Sequence, residues 1–142
     1  MTSPTQIALS RQHASPTGRA EARAAARIDE DSRRTAVAAA RAALEKKAED
    51  VVVLELRGVS GYTDFLVIGS GTNERQLEAI ADGVEKELTA QGHRVIGSEG
   101  QRGGRWVLLD FGDVVVHVFH GDDRTHYDLE GLWADAPRIE VE

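Results

Sequence analysis

The chain has 142 residues, no cysteine and a formal net charge of −7, a length suited to one α/β domain with an adequate core. The missing cysteines exclude disulfide staples, thiolate zinc sites and thiol catalysis, and fit a reducing cytoplasm. Residues 1–50 carry nine Lys/Arg and seven Asp/Glu, whereas residues 51–142 carry eight and seventeen, a net of −9; an acidic domain repels phosphate backbones and attracts basic surfaces, which argues against autonomous nucleic-acid binding.

No apolar run approaches the roughly 20 residues that a membrane helix requires, and nothing at the N-terminus resembles a secretory signal. Residues 1–34 read as an N-terminal extension, disordered or partly helical. Met1 to Gly18 is rich in Ser, Thr, Pro and Gln without periodicity, and the Ala/Arg-rich stretch to Arg34 is helix-forming but lacks a stripe wide enough to dock. A transit peptide is the alternative, since Arg11 and Arg19 are joined by no acid in the first twenty residues. The ordered domain is expected over residues 35–137, with 138–142 as a C-terminal tail.

In that domain Val37, Ala40, Leu44 and Ala48 recur at helical spacing. Val51 to Leu56 is a short buried strand, Arg57 to Gly61 a turn, and Phe65 to Gly69 a second strand. Gly69-Ser-Gly-Thr-Asn73 turns into the strongest helix of the chain. Thr72 or Asn73 is its N-cap, Leu77, Ile80, Ala81, Val84 and Leu88 form its apolar face, and Gly92 ends it. His93 to Ile96 is a weaker strand, and Gly97 to Gly104 a Gly-rich loop suited to mobility.

Arg105 to Phe119 holds two apolar strands that meet at Phe111-Gly-Asp113. Val107, Leu109 and Phe111 share one face, and Trp106, Leu108 and Asp110 the other. The second strand alternates in the same way, so the sheet needs cover on both faces. A last short helix, capped by Asp122 or Asp123, is expected to run through Trp133. The order predicts an α/β fold with a mixed five-stranded sheet flanked by helices.

Candidate chemistry is thin. Gly69-Ser-Gly-Thr before a helix suits an anion cradle, but neither a P-loop nor the three-glycine dinucleotide pattern is present. Nucleotidyl transfer needs clustered carboxylates, and alternation sends Asp110 and Asp113 to opposite faces. His117 and His120 diverge for the same reason, without a third ligand at a recognisable spacing. A serine hydrolase lacks its Gly-x-Ser-x-Gly elbow. No catalytic residue, cofactor or metal is therefore assigned. What remains is surface: Trp106 suits the centre of a protein interface, or the underside of a helix of its own chain, and Arg124, Tyr127, Asp128, Glu130, Leu132 and Trp133 mix aromatic and charged groups as an interface does.

Trp106-Val-Leu-Leu-Asp-Phe-Gly-Asp-Val-Val-Val-His117 and Asp123-Arg-Thr-His-Tyr-Asp-Leu-Glu-Gly-Leu-Trp133 closely resemble the ribosomal silencing factor family, RsfS or Iojap. Lys47 to Leu54, Thr63 to Ile68, Gly71 to Arg75 and Ile80 to Glu85 extend the resemblance over roughly Thr35 to Pro137. It implies a nucleotidyltransferase-like topology without the catalytic carboxylates. It also implies binding to ribosomal protein L fourteen of the large ribosomal subunit, which blocks joining of the small subunit and lowers translation when nutrients are short. By the same resemblance Trp106 is an interface anchor supported by Asp110, Asp113 and His117. Arg124, Tyr127 and Glu130 are its helical signature, touching the partner or holding the helix, and Thr63 and Asp64 are mainly structural. Gln76 stands where many members carry histidine, and Gly131 where a larger, often basic residue is usual. The alternatives are a large-subunit assembly factor and a nucleotide-binding enzyme. A homodimer is expected in isolation.

Overall fold

The computed structural model describes residues 19–59, 61–100 and 104–141, with 19–29 as backbone only. The expected disorder of Met1 to Gly18, and the centre of the Gly-rich loop, lie outside the described residues.

Helix α1 spans Arg19–Glu45, starting well before Thr35, because an Ala-rich run without Gly or Pro offers nothing to stop it. Its inward row is Ser32, Thr35, Ala36, Ala39, Ala40 and Ala43, all buried. Val37 and Leu44 are only partly buried, so the docking face is rotated from the row of larger apolar residues. Small side chains let the helix lie close to the sheet, and closeness decides which face docks.

The end of α1 is a Schellman motif. Ala48 N–H donates to Ala43 O at 3.0 Å and Lys47 N–H to Leu44 O at 2.9 Å, with Lys47 in the left-handed region at φ 66. Glycine normally takes that position, since an L side chain there costs roughly 1 kcal/mol. Lys47→Gly is therefore expected to raise stability by about 1 kcal/mol, read as a higher urea midpoint at constant m-value. An unchanged or lower midpoint would mean that the lysine side chain contributes more than its backbone strain costs.

Strand β1 (Glu49–Glu55) follows, then β2 (Phe65–Gly71), buried at every residue. Helix α2 (Glu74–Ala90) buries Leu77, Ile80, Ala81, Val84 and Leu88. Asn73 is the N-cap, its side chain accepting from Gln76 N–H at 2.8 Å. Gly92 at φ 92 closes the helix, with His93 N–H donating to Leu88 O. Strands β3 (Gly97–Glu99), β4 (Trp106–Asp110) and β5 (Val114–His120) precede α3 (Gly121–Tyr127), α4 (Leu129–Leu132) and β6 (Arg138–Ile139).

The sheet has the order β3-β4-β5-β2-β1-β6, with β2 and β5 parallel and the other pairs antiparallel. It has six strands rather than the expected five. The extra strand, β6, lies in the segment read as a tail: Arg138 and Ile139 pair with Leu54 and Val53, and Glu55 N–H donates to Pro137 O at 2.9 Å. Two residues carry no legible period, yet they cover an edge of β1 that would otherwise expose unpaired backbone.

Three further boundaries move. The strand after α2 is Gly97–Glu99, exposed throughout, not His93 to Ile96; the chain reaches β4 only when Ile96 N–H finds Asp110 O at 2.7 Å. Gly69-Ser-Gly71 belongs to β2, not to a turn, because parallel pairing with β5 continues to Gly71 opposite His120. The last helix starts at Gly121 behind His120, which makes no side-chain cap; Asp122 and Asp123 lie in its first turn. It breaks at Asp128, φ 45, whose carboxylate then caps α4 by accepting from Gly131 N–H at 3.0 Å.

Both faces of the sheet are apolar, as alternation requires. Val53, Phe65, Val67, Val107, Leu109, Val114, Val116 and Val118 pack under α1 and α2. Leu54, Leu56, Leu66, Ile68, Val115 and Phe119 form the second core, covered by the shorter segment that holds Leu129, Trp133 and Ala136. That thinner cover exposes the site.

Candidate interaction surface

Trp106 pairs across the β4–β5 ladder with Phe119, and Leu108 with His117. Alternation brings all four side chains to the second face. The Trp106 ring stacks on Phe119 at 4.9 Å between centroids and meets Tyr127 of α3 at 4.5 Å. Trp106 is therefore partly beneath a helix of its own chain and partly open. Beside it Tyr127 is 49% exposed and Leu132 67% exposed, while Leu108, Leu129 and Trp133 are half-buried. The result is an aromatic and aliphatic surface that the chain covers only in part.

His117 is 4% exposed. Trp106 Nε1–H donates to its Nδ1 at 2.8 Å. An indole N–H only donates, so Nδ1 is the acceptor and the ring is neutral with its proton on Nε2. Burial penalises the imidazolium and pushes the pKa down to about 4. This is a structural histidine that orients the tryptophan.

Arg124, with its side chain 11% exposed, pins α3 and α4 to the sheet. Its Nε donates to Glu130 Oε1 and its Nη1 to Ser70 Oγ, both at 2.8 Å. Glu130 Oε2 also accepts from Arg138 Nη2 at 3.2 Å. Arg124 and Glu130 thus hold the helices that carry Tyr127 and Leu132. Arg124→Ala is expected to cost about 1.5 kcal/mol by removing charge-assisted bonds in a part-buried setting. Arg124→Lys should restore only part of it, because a point charge cannot serve Glu130 and Ser70 together. Full recovery by lysine in urea unfolding would remove the fork geometry from the account.

Asp110 and Asp113 are not brought to this cluster. Both lie at the turn end of the hairpin, whereas Trp106 and Phe119 lie at its open end. Asp110 Oδ1 accepts from Gly112 N–H at 2.8 Å and orders the turn. Asp113 lines a cleft with Asp31, Ser32, Thr35 and His93 on the α1 side. Thr63 and Asp64 brace the same turn, through Thr63 Oγ1–H to Gly112 O and Asp64 N–H to Asp113 O.

The anion-cradle reading of Gly69 to Asn73 meets occupied donors. Thr72 N–H and Oγ1–H both donate to Gln76 Oε1, and Gln76 N–H to Asn73 Oδ1. A Cβ on Gly131 would come within 2.2 Å of the Asp128 carboxylate, so the small residue there matches the Asp128 cap. Among the described residues no group of three His, Asp or Glu is placed to hold a metal, and no helix is long and apolar enough to cross a membrane.

Sequence reasoning missed Phe119, Ser70 and Arg138 as parts of this region. Phe119 was legible as the cross-strand partner of Trp106 once the hairpin register was counted. Ser70 and Arg138 carried no signal, since an ion-pair network across distant segments has no spacing.

The model of a family described as ribosomal silencing factor during starvation matches residues 29–142. The chain is similar to the ribosomal silencing factor RsfS of Halalkalibacterium halodurans, 50% identical over 98 residues that cover 69% of this chain and 84% of the relative. It is 34% identical over 92 residues, 63% of this chain and 40% of the relative, to a mouse protein named mitochondrial assembly of ribosomal large subunit protein 1. Among solved structures, a crystal structure of a Chromobacterium violaceum protein superposes with a TM-score of 0.70 at 34% identity, covering 72% of this chain and 85% of that one. With four fifths of its length matched in order, the chain belongs to the ribosomal silencing factor (RsfS) family.

Proposed function

We propose that this protein is a non-enzymatic translational repressor of the cytoplasm. It binds ribosomal protein L fourteen of the large ribosomal subunit, sterically blocks joining of the small subunit, and so lowers translation under nutrient limitation. The observation that carries this reading is the partly covered surface of Trp106, Tyr127, Leu108 and Leu132 on a strongly acidic domain. A basic ribosomal protein complements the charge, and the open aromatic rings supply an interface core. Asp110 contributes acidity on the same face, and Arg124, Glu130 and His117 keep the surface in shape. When no ribosome is present, the same face pairs two copies of the chain.

Two other readings stand behind it. The name of the mouse relative favours a large-subunit assembly factor, which uses the same surface at an earlier stage. A nucleotidyltransferase-like frame that still binds nucleotide is disfavoured by the occupied donors at Thr72 and Gln76 and by the separation of Asp110 from Asp113. Co-sedimentation with separated subunits, followed by subunit joining with and without the protein, distinguishes them. Binding to large subunits alone with joining blocked supports repression, and binding without any effect on joining supports assembly. No binding to large subunits defeats both.

A further inference from the structure

A cleft of about 260 Å³ opens on the α1 side of the sheet, on the face opposite Trp106. Three segments wall it: Asp31, Ser32 and Thr35 of α1, His93 behind α2, and Phe111, Asp113 and Val114 of the hairpin turn. Ser32 is 4% exposed, and its hydroxyl makes no hydrogen bond among the described residues. Thr35 is 6% exposed, and its Oγ1–H donates to Asp31 O at 2.9 Å. Its oxygen therefore accepts from His93 Nε2, 3.1 Å away, so the neutral imidazole carries its proton on Nε2 and Nδ1 is an acceptor. Asp31 stands at the rim, 66% exposed and held by Arg34 through Oδ1. Two carboxylates, an imidazole nitrogen and a rotatable hydroxyl give the lining an excess of acceptors over donors. Such a lining asks for a cationic donor, and the net charge of −9 over residues 51–142 draws one. Among the described residues no three His, Asp or Glu converge as metal ligands, so the acceptors suit a cation whose charges are set apart. Phe111 and Val114 supply an apolar wall for a hydrocarbon stem. The volume lies below the roughly 300–1,000 Å³ of sites for drug-sized ligands, which restricts the occupant to a small molecule.

We infer that this cleft is a binding site for a small linear diamine. One ammonium enters between Asp113 and the Ser32 hydroxyl, the methylene stem lies on Phe111 and Val114, and the second ammonium pairs with Asp31 at the rim. An ammonium carries three donors and no acceptor, the complement of this lining. The site is separate from the Trp106 surface and stands whether or not that surface meets a ribosome. Its walls come together only in the folded chain, so an occupant ties α1 to the hairpin turn and stabilises the native state by mass action.

The test titrates the isotope-labelled full chain with putrescine, a four-carbon diamine, at fixed ionic strength and follows the backbone amides by NMR. Saturable shifts concentrated at Ser32, Thr35, His93 and Val114 are expected. Ser32→Ala, which suits a helix, should weaken binding about fivefold, and Asp113→Asn about tenfold or more. Butylamine, with a single ammonium, should bind about threefold more weakly than putrescine. Tetramethylammonium, a cation without N–H donors, should give no saturable shift at these positions. Shifts that spread over the acidic surface without saturating overturn the site, as does an equal response to tetramethylammonium. Equal affinity for butylamine and putrescine overturns the two-ended grip of Asp31 and Asp113, and with it the proposal. Should Asp113→Asn fail to fold, Ser32→Ala decides alone, and a wild-type affinity in that variant overturns the assignment.

Discussion

Trp106→Ala is expected to weaken binding to large ribosomal subunits at least thirtyfold, equivalent to about 2 kcal/mol or more, and to abolish the block on subunit joining at concentrations where wild type acts. The ring is half-buried against Phe119, His117 and Tyr127 of its own chain, so alanine also lowers the stability of the free protein. Tyr127→Ala separates the two effects. Tyr127 is 49% exposed, its truncation opens little of the core, and about a tenfold loss of affinity is expected from it alone. Folded Trp106→Ala and Tyr127→Ala proteins that bind as wild type does would place the ribosomal contact elsewhere. Asp113→Ala serves as the contrast, since Asp113 lines the cleft on the α1 side, and its affinity should stay within a factor of two or so of wild type.

Acidification is expected to destabilise the protein through His117 in particular. Its pKa is about 4 when folded and about 6.5 in an unfolded chain. Between these values the unfolded state binds the proton and the native state does not. The stability contributed by the neutral buried ring is therefore complete above pH 6.5 and declines as pH falls toward 4, for a total of about 3 kcal/mol. Protonation also turns Nδ1 into a donor facing the indole N–H, which breaks the bond that orients Trp106. His117→Gln keeps an acceptor and does not titrate, so its urea midpoint should change less than that of wild type between pH 7 and pH 4.5. Parallel pH profiles for the two proteins would assign acid sensitivity to other groups.

Much of the frame is written in local chemistry. Alternation in β4 and β5 assigns Val107 and Leu109 to one core and Trp106 and Leu108 to the other. The Leu77 to Leu88 stripe, the Asn73 cap and the Gly92 stop define α2 within a residue or two. These features depend on neighbours in the chain, so residue spacing alone is enough to define them. The motifs at Trp106 to His117 and Asp123 to Trp133 likewise determined the family.

Contacts between distant segments settle the remaining features. Strand β6 exists because β1 has an open edge within reach of Arg138 and Ile139, a fact of sheet order rather than of local propensity. The docking face of α1 is set by how closely alanines allow the helix to approach, not by its largest apolar residues. Arg124 is a pin because folding brings Ser70 and Glu130 to either side of its guanidinium. Asp110 and Asp113, three residues apart in the chain, end up ordering a turn and lining a cleft on the α1 side. Trp106 is partly covered and partly open because the segment over the second face is too short to close it. Spacing along a chain fixes which residues share a face, but partnership between distant segments is a matter of packing, and packing is settled only when the whole sheet has formed.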